Sequence, residues 1–155
     1  MHGSLPLGGD SRYSLVMKYR TLGSTGEAVS VVGMGTWQFG GEWGKDFAQS
    51  EVNEMFVAAR EVGITLIDTA ECYGDHLSEE LIGKALQETF PSERDSWFLA
   101  TKFGHRFTEP FERDQIWDAD GVTNQLEDSL KALKTDYVDL LQFHSGGNEV
   151  FDNDA

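Results

Sequence analysis

Four ionisable residues of complementary type stand at or just beyond the ends of apolar runs. Asp68 closes ITLID, Lys102 closes WFLATK, His144 follows YVDLLQ, and Tyr73 lies five residues after Asp68. A phenol has an ordinary pKa near ~10 and works best as a general acid when that value moves toward the working pH. A neighbouring ammonium favours the phenolate. A carboxylate beside the ammonium holds it charged and in place, and an imidazole at the same mouth can hydrogen-bond a carbonyl oxygen. Asp, Tyr, Lys and His together would polarise and protonate a carbonyl that receives a hydride. One polar residue at a strand end is ordinary; four complementary ones on one rim are the observation of weight.

Such a rim needs parallel strands, because in α/β folds the C-terminal strand ends build the site. Apolar runs rich in β-formers occur at 31–35, 64–68, 97–102 and 137–142. They are nearly continuous, as strands buried on both faces are. Helical stripes lie between them. In Ser50–Val62, the residues Val52, Met55, Phe56 and Ala59 follow i, i+3, i+4, i+7, with Ser50 as N-cap and Gly63 just past the end. In Ser78–Phe90 the stripe is Leu81, Ile82, Ala85 and Leu86, and Pro91 stops it. In Gly121–Lys134 it is Val122, Leu126, Leu130 and Leu133, behind Asp118 and Asp120. Residues 19–30 read as a hairpin around Gly23-Ser24-Thr25-Gly26. A hairpin followed by alternating strands and helices is an α/β fold, either a doubly wound open sheet or a (β/α)8 barrel. A full barrel takes roughly 250 residues. The 155 residues here supply the hairpin, about four strands and three helices, or half of one. Inward-facing side chains of that half are expected from Val31, Ile67, Leu99 and Leu141 or their neighbours. Residues 1–16 read as a leader, a tag or an over-extended start, expected to be disordered, ahead of one unit over 17–155.

Composition narrows the partners. Lys and Arg total 12 against 27 Asp and Glu, a formal net charge of −15. A chain this acidic repels phosphate backbones, so nucleic acid is not an expected partner. No apolar run reaches the 18 residues of a membrane-spanning helix. The lone Cys72 forms no internal disulfide, which suits a reducing, cytoplasmic location. The stretch GMGTWQFGG (33–41) fails as a dinucleotide fingerprint, because Gln38 stands where the third glycine belongs. His2, His76, His105 and Cys72 show no metal-ligand spacing, so no metal is expected. Trp43, Phe47, Phe103, Phe107, Phe111 and Trp117 fall in loops, where they either wall a substrate pocket or pack the loops. FTEPFERDQIWDAD (107–120) reads as a long third loop of the kind that shapes substrate choice.

From about Lys18 to Asn153 the chain resembles the aldo-keto reductases. The matching pieces are YRTLGSTGEAVSVVGMGTW, ITLIDTAECYGDHLSEELIGKAL, WFLATKFG and LKTDYVDLLQFH, in that order and spacing. The resemblance implies a (β/α)8 TIM-barrel fold and NADPH-dependent reduction of an aldehyde or ketone, with a small carbonyl compound as substrate. Carried over residue by residue, it makes Tyr73 the proton donor and Lys102 its modulator. Asp68 would be the partner of Lys102, and His144 would orient the carbonyl. It also places Gly35, Thr36, Trp37 and Asp68 at the nicotinamide (NADP) pocket. Members of the family are about twice this length, and their phosphate contacts come mainly from later strands. A missing C-terminal half or self-association is therefore expected, the chain being a partial enzyme. The alternative is a non-catalytic truncated barrel acting as a binding or regulatory subunit.

Overall fold

The computed structural model describes residues 16–110 and 112–146. His2, Phe111 and all of the expected leader except Val16 lie outside the described residues. The first hairpin pairs β1 (Tyr19–Thr21) with β2 (Ala28–Ser30), antiparallel, with Tyr19 opposite Ser30. Then follow β3 (Met34–Gly35), α1 (Gln49–Glu61), β4 (Leu66–Asp68), α2 (Leu77–Thr89) and β5 (Phe98–Phe103). A second hairpin, β6 (His105–Glu109) and β7 (Glu112–Gln115), precedes α3 (Ala119–Leu133) and β8 (Leu140–Phe143).

Strands β3, β4, β5 and β8 form one parallel sheet in chain order. A doubly wound sheet reverses direction at a switch point; this one does not. Helices α1, α2 and α3 add side chains to one cluster over one face, as the outer layer of a (β/α)8 TIM-type barrel does. Val52, Phe56 and Ala59 come from α1, Leu81, Ile82, Ala85 and Leu86 from α2, and Leu133 from α3. They close over Ile67, Leu99 and Trp97, with Trp97 between the rings of Phe56 and Phe90 at 5.3 and 5.2 Å. Each large apolar side chain buried in this way contributes about 1.5–3 kcal/mol.

Ile67 and Leu99 are therefore helix-facing, not inward, and they are fully buried. Leu141 pairs with Thr101 on that same side of the pleat. Successive side chains alternate between faces, so a strand that aims Asp68 inward must aim Ile67 outward. Val31 lies before β3 and is exposed.

Helix starts differ in detail from the sequence expectation. Ala48, not Ser50, occupies the N-cap of α1. The Glu51 carboxylate accepts the Ala48 amide at 2.9 Å, so the helix start is satisfied without a capping hydroxyl. In α2, Ser78 sits inside the first turn behind His76 and is fully buried. In α3 the N-cap is Asp118, whose Oδ1 accepts the Gly121 amide at 2.8 Å.

The stretch 107–120 is not simply a loop. Most of it is the β6–β7 hairpin, whose ends meet where the Ile116 amide donates to the Gly104 carbonyl at 3.0 Å. Gln125 of α3 fixes that neck, its Oε1 accepting the amides of Gly104 and His105 at 2.7 and 3.0 Å.

Candidate active site

Strand register sets the floor of the site. Gly35, Asp68, Ala100 and Leu140 are successive partners across the sheet, and Lys102 pairs with Gln142 one row further on. These residues share the face opposite the helices. Lys102 Nζ donates to Asp68 Oδ2 at 2.9 Å, to the Thr69 carbonyl at 2.8 Å and to the Tyr73 hydroxyl oxygen at 3.1 Å. The ammonium side chain is 13% exposed and the Asp68 carboxylate 43%, so the cation is sunk below the carboxylate. Gln142 Nε2 donates to Asp68 Oδ1 at 3.2 Å and fixes its second oxygen. Tyr73 is brought over Lys102 by a turn after β4, where its amide donates to the Ala70 carbonyl. His144 follows β8, its amide held by the Phe103 carbonyl at 2.8 Å, and its ring meets that of Tyr73 edge-on at 5.9 Å. All four residues expected at the rim converge.

The expected cofactor residues are placed differently from one another. Gly35 faces open space where a Cβ would stand. Trp37 is half exposed and stacks near Tyr73, with centroids 6.1 Å apart. Thr36 is wholly buried, and its hydroxyl donates to the Asp68 carbonyl at 3.0 Å. Ser78 Oγ lies within 3.0 Å of Thr36 Oγ1 and of Thr69 Oγ1, which makes a buried hydroxyl knot under the floor. The side chain of Thr36 thus joins β3, β4 and α2.

A cleft of about 310 Å³ opens above Tyr73 and His144, walled by Trp37, Glu42, Cys72, His105 and Arg113. Arg113, from β7, donates to the Cys72 carbonyl at 2.8 Å and to Glu42 at 3.0 Å, while Glu42 accepts the Trp37 indole N–H at 2.8 Å. The chain after β3 also crosses the chain after β4 backbone to backbone. A Cβ on Gly74 would fall 2.6 Å from Gly40 Cα. Of the aromatics expected in loops, Phe103 instead ends β5 and Phe107 lies in β6, while Trp43 stands edge-on to Trp37 at the rim. Phe47 packs on Phe39, Phe103 and Trp117 pack on Phe143, and Phe107 packs on His76. A larger concavity of about 840 Å³ between α2 and α3 contains none of the four rim residues.

Beneath the cleft lies a group that the sequence does not reveal. Glu71 is fully buried, and its Oε1 lies 2.9 Å from His105 Nδ1. Cys72 Sγ lies 3.4 Å from His144 Nδ1. Burial, with the nearby Glu71 charge, pushes the Cys72 thiol up to about 12. Burial also lowers the pKa of His144, against the pull of Glu71 and with the help of Lys102 and His105, so the imidazole is neutral near neutrality. His105 and Cys72 have no ligand-like spacing because folding, not sequence proximity, joins them. Gln142, Glu42 and Arg113 are likewise missed; for Gln142 the only sequence signal is its place two residues before His144.

Among the described residues no helix is long and apolar enough to cross a membrane. The model of the Aldo/keto reductase family matches residues 31–150. The chain is 39% identical over 132 residues to the aldo-keto reductase YhdN of Bacillus subtilis, covering 83% of this chain and 38% of that protein. It superposes on the holo form of aldo-keto reductase AKR11C1 from Bacillus halodurans with a TM-score of 0.73 at 32% identity, covering 86% of this chain and 42% of that one. An aldo-keto reductase from Klebsiella pneumoniae in complex with NADPH gives a TM-score of 0.59 at 28% identity, over 79% of this chain and 37% of that one. The chain thus spans about two fifths of the length of these three relatives. With the family match running through the whole floor, from Gly35 to His144, the chain belongs to the aldo-keto reductase family.

Proposed function

We propose that this chain carries the proton-transfer centre of an NADPH-dependent reductase of aldehydes or ketones. The observation that carries the reading is the Lys102 ammonium, shared between Asp68 and the Tyr73 hydroxyl oxygen at 2.9 and 3.1 Å. When bound, the reduced nicotinamide supplies a hydride to the carbonyl carbon. Gly35 and the exposed Trp37 fit a flat ring at the inner face, because no side chain fills the space above Gly35. The substrate carbonyl oxygen accepts a hydrogen bond from Tyr73 in the cleft. As negative charge grows on that oxygen, Tyr73 gives up its proton, and the charge left on the phenol oxygen faces the Lys102 ammonium. Asp68 and the Thr69 carbonyl keep the ammonium aimed, and Gln142 keeps Asp68 aimed. His144, beside Tyr73, orients the carbonyl.

Tyr73→Phe in the NADPH-binding protein removes the proton and keeps the ring. Carbonyl reduction should fall by ~10²–10⁴-fold, the usual worth of a positioned general acid, while NADPH affinity read by fluorescence titration stays within a factor of about two. Turnover by Tyr73→Phe close to that of the parent would overturn the assignment.

A further inference from the structure

We propose that Glu71, Cys72, His105 and His144 form a binding site for one Zn²⁺ beneath the cleft. Taking one donor atom from each residue, all four atoms lie within 4.8 Å of one another. Cys72 Sγ and Glu71 Oε2 stand 3.4 and 4.0 Å from His144 Nδ1. A tetrahedral zinc, with Zn–S near ~2.3 Å and Zn–N or Zn–O near ~2.0–2.1 Å, sets its ligand atoms roughly 3.3–3.7 Å apart. Closing the cluster on an ion therefore takes movements of about 1 Å or less.

A second observation points to a cation. Glu71 is fully buried, and its Oε2 has no hydrogen-bond partner while it is turned toward His144. Buried carboxylate oxygens are normally paired, because leaving one unpaired is costly. A metal ion is the partner that the surrounding donors can hold. One thiolate and one carboxylate neutralise a dication, so the filled site carries no net charge into the interior. Sulfur with two imidazole nitrogens and one oxygen is a zinc donor set; calcium and magnesium take oxygen. Entry is open, since Cys72, His105 and His144 all line the cleft. The ligands also come from three separate segments: the turn after β4, the start of β6 and the residue after β8. Binding replaces the Cys72 S–H by an S–Zn bond and releases that proton to solvent.

The site does not depend on the reductase reading, and its test measures metal rather than turnover. Zn²⁺ is titrated into the purified protein against a chromogenic chelator, and Co²⁺ is used as the spectroscopic stand-in. The expected result is one tightly held ion per chain and a thiolate-to-cobalt charge-transfer band. Cys72 is the only cysteine of the chain, so that band can come from no other residue. Cys72→Ser should abolish the band. Cys72→Ser and His105→Gln should each weaken Zn²⁺ by at least ~10-fold, and His76→Gln, outside the cluster, should leave the affinity unchanged. Absence of the thiolate band in the unmutated protein overturns the proposal without recourse to any variant. Equal affinity in Cys72→Ser, or a loss shared by His76→Gln, overturns it as well.

Discussion

Replacing Gly74 by Ala tests the backbone crossing that ties the Trp37 chain to the Tyr73 turn. Gly74 has φ +67°, and a Cβ there would stand 2.6 Å from Gly40 Cα and 2.8 Å from Gly40 C. Ordinary contact begins near 3.4 Å. The obstacle is backbone, so no rotamer change relieves it. A left-handed conformation costs a non-glycine residue about 1–2 kcal/mol, and forcing atoms into a filled space costs about 1–3 kcal/mol more. The expected loss is thus about 2–5 kcal/mol, a large part of the stability of a small fold. Gly26→Ala supplies the control: its φ is +85°, and nothing lies within 4 Å of the new methyl. It should lose only the conformational part, about 1–2 kcal/mol. Urea unfolding of both variants, compared at unchanged m-value, isolates the clash as the difference. Equal midpoints for the two variants would show that the crossing is not the constraint described.

Lys102→Met should lower carbonyl reduction by about 10–100-fold or more, the worth of a charge-assisted hydrogen bond of about 1.5–3 kcal/mol, with NADPH binding as the control. Arg94→Ala should destabilise the fold by about 2–3 kcal/mol in urea. Its guanidinium bonds the Trp97 and Tyr137 carbonyls at 2.7 and 3.0 Å and Asp139 at 2.8 Å, and both charges are mostly buried. Burial disfavours the charged form of His76, but the Glu79 hydrogen bond at 2.6 Å and the charges of Glu79, Asp128 and Glu71 outweigh it and raise the pKa. A raised folded value stabilises fully below the ordinary histidine pKa and loses that contribution as pH rises through the folded one. Stability relative to His76→Gln should therefore fall as pH rises above the ordinary histidine value of about 6.5; a difference that stays flat there would contradict the coupling.

The three helices and the four parallel strands were legible because their stripes follow helical or strand period. Strand-end chemistry was legible for the same reason: Asp68, Lys102 and His144 follow apolar runs. Hydrophobicity alone marks Ile67 and Leu99 as inward-facing, whereas alternation from Asp68 and Lys102 assigns both to the helix side. The β6–β7 hairpin gave no signal, since HRFTE and ERDQ are mostly polar and alternate weakly. It is held instead by the neck at Gly104 and by Arg113. Nothing in the sequence sets Glu71 and Glu79 apart from the rest of the 27 acids, yet both are fully buried. Glu71 meets His105, 34 residues away, and Glu79 meets Thr101, 22 residues away, contacts that no local pattern reveals, although Glu79 also pairs with His76 one helical turn back.

The closed neck of the β6–β7 hairpin makes it a detachable cassette. Its two ends meet at the Gly104–Ile116 hydrogen bond, so excision or exchange leaves a gap that a short turn can span. Outside the neck, the Arg113 bonds to Cys72 and Glu42, the His105 contact with buried Glu71 and the Gln115 bond to the Ser145 carbonyl dock it over the cleft. The shape of the cleft can therefore be altered by grafting hairpins of other lengths between His105 and Gln115, provided the graft keeps an arginine in register with Glu42 and leaves His105 against Glu71. The barrel strands and the Asp68–Lys102–Tyr73 floor need not change, which separates the evolution of what the cleft admits from the evolution of what the floor does.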